Sequence, residues 1–201
     1  MIGERGRGAL KKALSDHATL VPVWRKCWPD RPTPFVSINV SSGQLIEPDE
    51  VARLSAIIVD SGVDPRQVKL EVTESLMIHD PESAASAMKD LKALGVSIAI
   101  DDFGTGYSSL SYLHRFPIDT LKVDQSFVFN MLKDTTSGRL VRSILHMADD
   151  LGLETVAEGI ETEQHFDHLR DFGCTHGQGF LMARPGPRFD LEALLETELV
   201  W

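Results

Sequence analysis

No uninterrupted apolar stretch in the chain approaches the ~18 residues expected of a membrane span, so nothing in it reads as transmembrane. The N-terminus, MIGERGRGALKKAL, carries charge but lacks the apolar run of a secretory signal, and the expectation is a cytoplasmic protein. Cysteine is scarce: Cys27 and Cys174 lie far apart, with no CxxC pair and no histidine at ligand spacing. That excludes a thiolate metal centre and leaves two reduced, buried thiols as the reading. Positive charge is also in deficit, with 20 Lys and Arg against 30 Asp and Glu, a formal net charge of -10. Proteins that bind DNA or RNA normally carry a basic face, so a nucleic-acid partner is not expected. A small anionic ligand stays compatible with this balance if metal ions neutralise the site locally. The GTG of FGTGYSSL lacks the Lys and following Ser/Thr of a P-loop, which argues against triphosphate binding by that route.

What is present is a domain of ordinary size: 201 residues, 42% apolar and 25% charged, long enough to bury a sizeable core. Short β-like runs alternate with helix-like ones, the sign of βα units around a parallel sheet. Asp80 reads as an N-cap followed by Pro81, with Ala84, Ala87, Met88, Leu91 and Leu94 forming a stripe that Gly95 stops. Leu140, Val141, Ile144, Leu145, Ala148 and Leu151 make a second stripe before Gly152. Val51, Leu54 and Ile57 or Ile58 mark an earlier helix, and Phe166, Leu169 and Phe172 a later one. His165 and His168, three apart on that last helix, read as its solvated face.

Strand parity decides between two architectures. Val36, Ile38 and Val40 oppose Ser37, Asn39 and Ser41; Val68, Leu70 and Val72 oppose Lys69, Glu71 and Thr73; Val96, Ile98 and Ile100 oppose Ser97, Ala99 and Asp101. An open doubly wound sheet is apolar on both faces, because helices cover both. Here one face is polar, so the expectation is a (β/α) barrel with helices outside and the polar face turned into a closed lumen. Only six beats can be counted where such a barrel needs eight. Residues 1–34 are expected to be a helix, carried by Leu10, Ala13, Leu14, Val23 and Trp24, and a loop entering the barrel. Residues 35–187 would form the core and 188–201 a C-terminal helix, so the chain starts roughly two strands late.

Each of the six runs ends on a polar group: Asn39, then Glu71 and Glu74, then Asp101 and Asp102, then Lys122 and Asp124, then Glu158 and Glu161, and finally Gln178. Loops at the carboxyl ends of parallel strands converge on one mouth, so the pattern reads as one active site. Adjacent carboxylates such as Asp101 and Asp102 repel each other and resist desolvation unless a cation sits between them. Elsewhere such a pair is an ordinary turn or cap. Beside Gly104, Thr105, Gly106 and the Ser108–Ser109 pair, with Glu71 and Glu158 at equivalent strand ends, it points to metal. Asn39 can complete an oxygen shell for Mg²⁺ or Mn²⁺ without adding charge. Lys122 alternates with Leu121 and Val123, which aims its ammonium inward, where it can orient water or a phosphate oxygen. Glu74 and Glu161 sit three residues beyond an acid, a spacing equally ordinary for a capping box. Inward carboxylates in a barrel also invite a glycoside hydrolase, but three Trp and two Tyr are few for stacking sugars.

The motifs NVS (39–41), EVTES (71–75), DDFGTGYSSL (101–110), LKVD (121–124), AEGIE (157–161) and GQGF (177–180), in this order, closely resemble the EAL-domain family of cyclic-di-GMP phosphodiesterases. The resemblance implies a TIM-like barrel, α/β in class, with two Mg²⁺ or Mn²⁺ ions at its mouth. It implies hydrolysis of one phosphodiester bond of cyclic di-GMP to the linear dinucleotide pGpG. It makes Asn39, Glu71 and Asp101 ligands of the first ion, and Asp101, Asp102 and Glu158 ligands of the second. Lys122 resembles the lysine near the attacking water, Glu158 a candidate base, Gln178 and Glu161 residues lining the site, and Glu74 the glutamate that steadies the DDFGTGYSSL loop. A homodimer or an upstream sensory or regulatory domain is the protein partner it suggests.

The chain departs from the family in one respect: the strand carrying the Glu-Ala-Leu motif, whose glutamate binds the first ion, is absent. The two missing beats coincide with it. Three expectations follow: an incomplete form of an active phosphodiesterase, a degenerate domain that binds cyclic di-GMP or a protein without cleaving it, or a barrel whose lost edge is supplied by another chain or an altered register.

Overall fold

The computed structural model describes residues 2–76, 80–105, 113 and 115–195. Helix α1 (Ile2–Cys27) leads through an irregular segment to strand β1 (Val36–Asn39) and helices α2 (Ser42–Ile46) and α3 (Pro48–Asp60). Strand β2 (Val68–Thr73), helix α4 (Pro81–Ala93) and strand β3 (Ser97–Phe103) follow, then strand β4 (Thr120–Val123) and helices α5 (Gln125–Asn130) and α6 (Thr135–Asp150). The chain continues with strand β5 (Glu154–Ala157), helix α7 (Glu163–Asp171), the two-residue strand β6 (His176–Gly177) and helix α8 (Arg188–Leu195). The six strands form one sheet in sequence order, every pair parallel. This is six of a TIM-like barrel's eight strands, a half-barrel. β1 and β6 are its edges, so among the described residues the expected lumen is a concave face and not a closed one.

The alternation legible in the sequence sorts the strands. Val68, Leu70, Ile98, Ile100, Leu121 and Val123 are buried on the helix side, against Leu54 and Ile58 of α3, Met88 and Leu91 of α4, and Ile144 and Leu145 of α6. The other parity places Lys69, Glu71, Ala99, Thr120 and Lys122 on the concave side, all buried as well. Leu10 and Leu14 seat α1 in the same core, and Arg7 Nη1 donates to Glu50 of α3 at 2.6 Å. Trp28 Nε1 donates to the Leu195 carbonyl at 3.1 Å, tying the segment after α1 to α8. Among the described residues no helix is long and apolar enough to cross a membrane.

Helix punctuation follows the sequence closely. Asp80 caps α4 by accepting from Ser83 N at 3.1 Å, Pro81 occupies the first turn, and Gly95 takes φ 102°, where a side chain would be strained. The stripes are narrower than the pattern suggests: Leu140 and Leu151 are about two-fifths exposed, because they lie at the edge of the buried arc of α6. Helix α7 corrects the reading of its histidines. His165 is buried beside Leu169, four residues on and therefore on the same face, while His168 is exposed. Burial pushes the His165 imidazole below its ordinary range, with Glu161 opposing it. The cysteines are free but only half-buried; Cys174 lines a cavity of about 520 Å³ beside β6, bounded also by Ile160, Leu169 and Met182.

Asp134 caps α6, accepting from Thr136 N and Ser137 N, both at 3.0 Å. The Thr136 N–H, then the Ser137 hydroxyl and N–H, hold its carboxyl below the usual range. The charged form is thus favoured in the folded chain. Its contribution is complete above the ordinary carboxylate pKa near ~4 and is lost as pH falls through the lowered folded value. Asp134→Ala is expected to lower the melting temperature at pH 7, with the gap to wild type closing in acid. Calorimetry of both proteins across pH checks this, and a gap that persists unchanged below the carboxylate range contradicts it.

Candidate metal centre

Register brings the polar strand ends together. Asn39 pairs with Glu71 and Thr73 with Asp101, while Lys122 pairs with Val156, two residues before Glu158. Parity directs Glu71, Asp101, Lys122 and Glu158 to the concave side. Asp102 belongs to the opposite parity, and the backbone resolves this. The β3–β4 register shifts between Ile100 and Phe103, and Asp102 adopts φ 55°, the left-handed conformation that aspartate tolerates better than most residues. The irregularity brings two sequence neighbours to one site.

Lys122 organises the acids. Its Nζ lies 2.8 Å from Glu71 Oε2, 2.8 Å from Asp101 Oδ1 and 2.7 Å from Glu158 Oε1. Strand β3 stands between β4 and β2; its Ala99 pairs with Glu71 on one side and with Thr120, two residues before Lys122, on the other. Burial alone would push the Lys122 ammonium down; hydrogen bonds to Asp101, Glu158 and Glu71 outweigh it and hold the group above its ordinary range. The acids feel the opposite stress. Burial raises the Glu158 carboxyl, with Asp101 and Glu71 adding to the rise and Lys122 opposing it. Asp102 is raised by burial and by the nearby Asp101 and Asp124 carboxylates.

Three carboxylates share one ammonium and a fourth, Asp102, stands beside them, so the site carries excess negative charge in a partly desolvated place. Asp101, Asp102 and Glu158 each offer an oxygen, and these oxygens lie within 4.8 Å of one another. Three hard oxygen donors in an over-charged cluster are the chemistry that Mg²⁺ or Mn²⁺ requires. The residues fit such an ion.

The remaining sequence candidates lie around this centre. Asn39 is exposed at the end of β1. Glu74 is buried, and its Oε2 accepts from Gly104 N at 3.1 Å, so it anchors the first turn after β3. Residues 106–110 of DDFGTGYSSL lie outside the described residues. Glu161 and Gln178 are exposed in two loops that are laced together: Gln178 N donates to the Ala157 carbonyl at 2.9 Å and Ile160 N to the Gln178 carbonyl at 3.1 Å. A Cβ at Gly179 would overlap the Ile160 backbone, so GQGF can approach AEGIE this closely only with glycine there. The triplet Glu192-Ala193-Leu194 does occur in the chain, but on α8, where Glu192 pairs with Arg188 at 3.1 Å, and not on a strand.

Sequence reasoning assigned no role to two residues, Asp124 of the strand-end series and Lys69 of the polar parity. Asp124 acts on Asp102 while capping α5 through Ser126 N at 3.0 Å. Lys69 is buried at the opposite end of the concave face, 3.0 Å from Glu154 Oε2 and 4.3 Å from the Phe35 ring centroid. Its parity with Glu71 was the available signal.

If φ 55° at Asp102 matters to the backbone, the two substitutions Asp102→Asn and Asp102→Val should separate strain from charge. Asn tolerates the left-handed region and removes a repulsion with Asp101, so it is expected to hold stability. Val is expected to cost about 1–2 kcal/mol more. Equal effects in denaturant unfolding would contradict this account of the bulge.

Comparison with known proteins adds independent findings. A family profile described as EAL domain matches residues 6–185. The cyclic di-GMP phosphodiesterase PdeR of Escherichia coli is 39% identical over 157 residues, which is 78% of this chain and 24% of PdeR. The MucR phosphodiesterase of Pseudomonas aeruginosa, solved as a cyclic-di-GMP complex, superposes with a TM-score of 0.86 at 33% identity, covering 94% of this chain and 74% of that one. Klebsiella pneumoniae BlrP1, solved with manganese and cyclic di-GMP, gives a TM-score of 0.75 at 34% identity over 90% of this chain and 45% of that one. The chain spans 22% to 29% of the length of the first curated relatives it matches.

Proposed function

The chain belongs to the EAL domain family, and we propose that it hydrolyses cyclic di-GMP to pGpG with divalent metal ions held by its strand-end carboxylates. The observation that carries the reading is the convergence of Glu71, Asp101, Asp102 and Glu158, from three strands, on one half-barrel mouth. A net-negative pocket of this kind repels a dianionic cyclic dinucleotide unless cations intervene.

In this reading Asp101, Asp102 and Glu158 hold one ion, and Glu71 and Asp101, with Asn39 as a neutral oxygen donor, hold another. When bound there, Mg²⁺ or Mn²⁺ would supply an acidified water and positive charge beside the phosphodiester oxygens. Glu158, raised by burial, accepts a proton from the attacking water, and Lys122 orients that water among the acids. Water adds to phosphorus, one ring P–O bond breaks and the departing ribose oxygen gains a proton, which opens the ring to the linear dinucleotide. Gln178 and Glu161, exposed at the rim, contact the substrate, and Glu74 steadies the turn at Gly104. Cyclic di-GMP is the ligand, in the cytoplasm, and an attached sensory or regulatory domain or a second copy of the chain is the protein partner.

One feature favours a sensor that binds without cleaving: among the described residues no strand carries a Glu-Ala-Leu triplet, which lies on α8 instead. Incubation with cyclic di-GMP and Mg²⁺ or Mn²⁺, followed by chromatography, separates the readings. Conversion to pGpG is expected, lost on chelation and reduced to background in Asp101→Asn. Binding without turnover would favour the sensor, and absence of both would overturn the assignment.

A further inference from the structure

Two sets of contacts at the mouth overlap. Lys122 Nζ holds Glu71, Asp101 and Glu158 at 2.7 to 2.8 Å, while the oxygens close enough to share an ion belong to Asp101, Asp102 and Glu158. Two carboxylates, Asp101 and Glu158, are claimed by both. The lysine is buried, with its ammonium paired to three acids, and is no surface charge. We propose that Lys122 is a built-in counter-cation that competes with the divalent ion for Asp101 and Glu158 and retreats toward Glu71 as the ion binds. This rests on the reading of the acids as a divalent-metal site.

The physical argument has two sides. Without a positive centre, four carboxylates brought together on adjoining strand ends repel one another across a partly desolvated mouth. The ammonium offsets that repulsion and draws the acids into place. A divalent ion entering the same cluster meets a unit positive charge a few ångströms away, and at that separation the cost is substantial even at a protein-like dielectric. Glu71 gives the displaced ammonium somewhere to go as the Asp101–Asp102–Glu158 triad fills, before a second ion reaches Glu71. It is the one partner of Lys122 that is not in the triad with the closest oxygens, and it is buried. Lys122 therefore sets metal affinity below what the acids alone would give, in exchange for a cluster that stays assembled. It is a positioning residue in this role, separate from any part it plays in orienting water.

The test is calorimetric titration of the wild-type chain and Lys122→Met with Mn²⁺, together with thermal melting of both in chelator and in Mn²⁺. Lys122→Met removes the ammonium and keeps the stem. It is expected to bind Mn²⁺ at least about tenfold more tightly, to melt lower than wild type in chelator, and to recover more on Mn²⁺ addition. Equal or weaker Mn²⁺ binding by the variant would overturn competition while leaving the metal reading intact. No binding by either protein would overturn both. Should the variant fail to fold, the wild type serves alone. The ¹⁵N signal of the Lys122 ammonium is expected to shift as Mg²⁺ is added, and an unmoved signal at calorimetrically saturating Mg²⁺ would overturn the proposal.

Discussion

The constraint on which this molecule turns is electrostatic: parallel strands that end on carboxylates bring those carboxylates together, and together they repel. Lys122 is the protein's own answer, an ammonium extended from β4 to acids on β2, β3 and just beyond β5. Its position depends on the strand register, since a shift by one residue would turn it into the helix layer and leave the acids uncompensated. The core of leucines, isoleucines and valines on the convex side is what holds that register. Fold and site are thus one design, in which apolar residues fix the parity and polar ones exploit it.

The mouth is finished by backbone features. The irregularity at Asp102 sets a second acid beside Asp101, the Glu74 carboxylate receives the Gly104 amide, and the AEGIE and GQGF segments bind each other through backbone hydrogen bonds that Gly179 permits. Each moves a side chain or a loop toward the acids, and none is visible in periodicity alone. They are the local departures from ideal strand geometry that functional sites commonly carry.

Much of this was legible before any coordinates. Alternation along VKLEVT, VSIAIDD and TLKVD sorted core from concave face, and Asp80, Pro81 and Gly95 marked a helix at both ends. The motifs identified the family, and the six-beat count anticipated the six strands. What was not legible depended on angles and distances that a one-dimensional pattern does not contain. His165 was placed on the solvated face by its spacing to His168, yet its pairing with Leu169 one turn on turned it inward. The lumen was expected to be closed, and the described strands leave two edges. The cysteines were expected to be buried, but Cys174 borders a cavity. Lys122 was expected among the acids; its simultaneous hold on three of them is a matter of distances that no spacing in the sequence gives.

The proposed chemistry needs Asp101, Asp102 and Glu158 to hold a divalent metal ion together. Anomalous diffraction from a crystal of this chain soaked in Mn²⁺ tests it most directly. A peak is expected among the carboxylates of these three residues. A well-diffracting soaked crystal with no peak there, or with Mn²⁺ bound only elsewhere on the acidic surface, would contradict it.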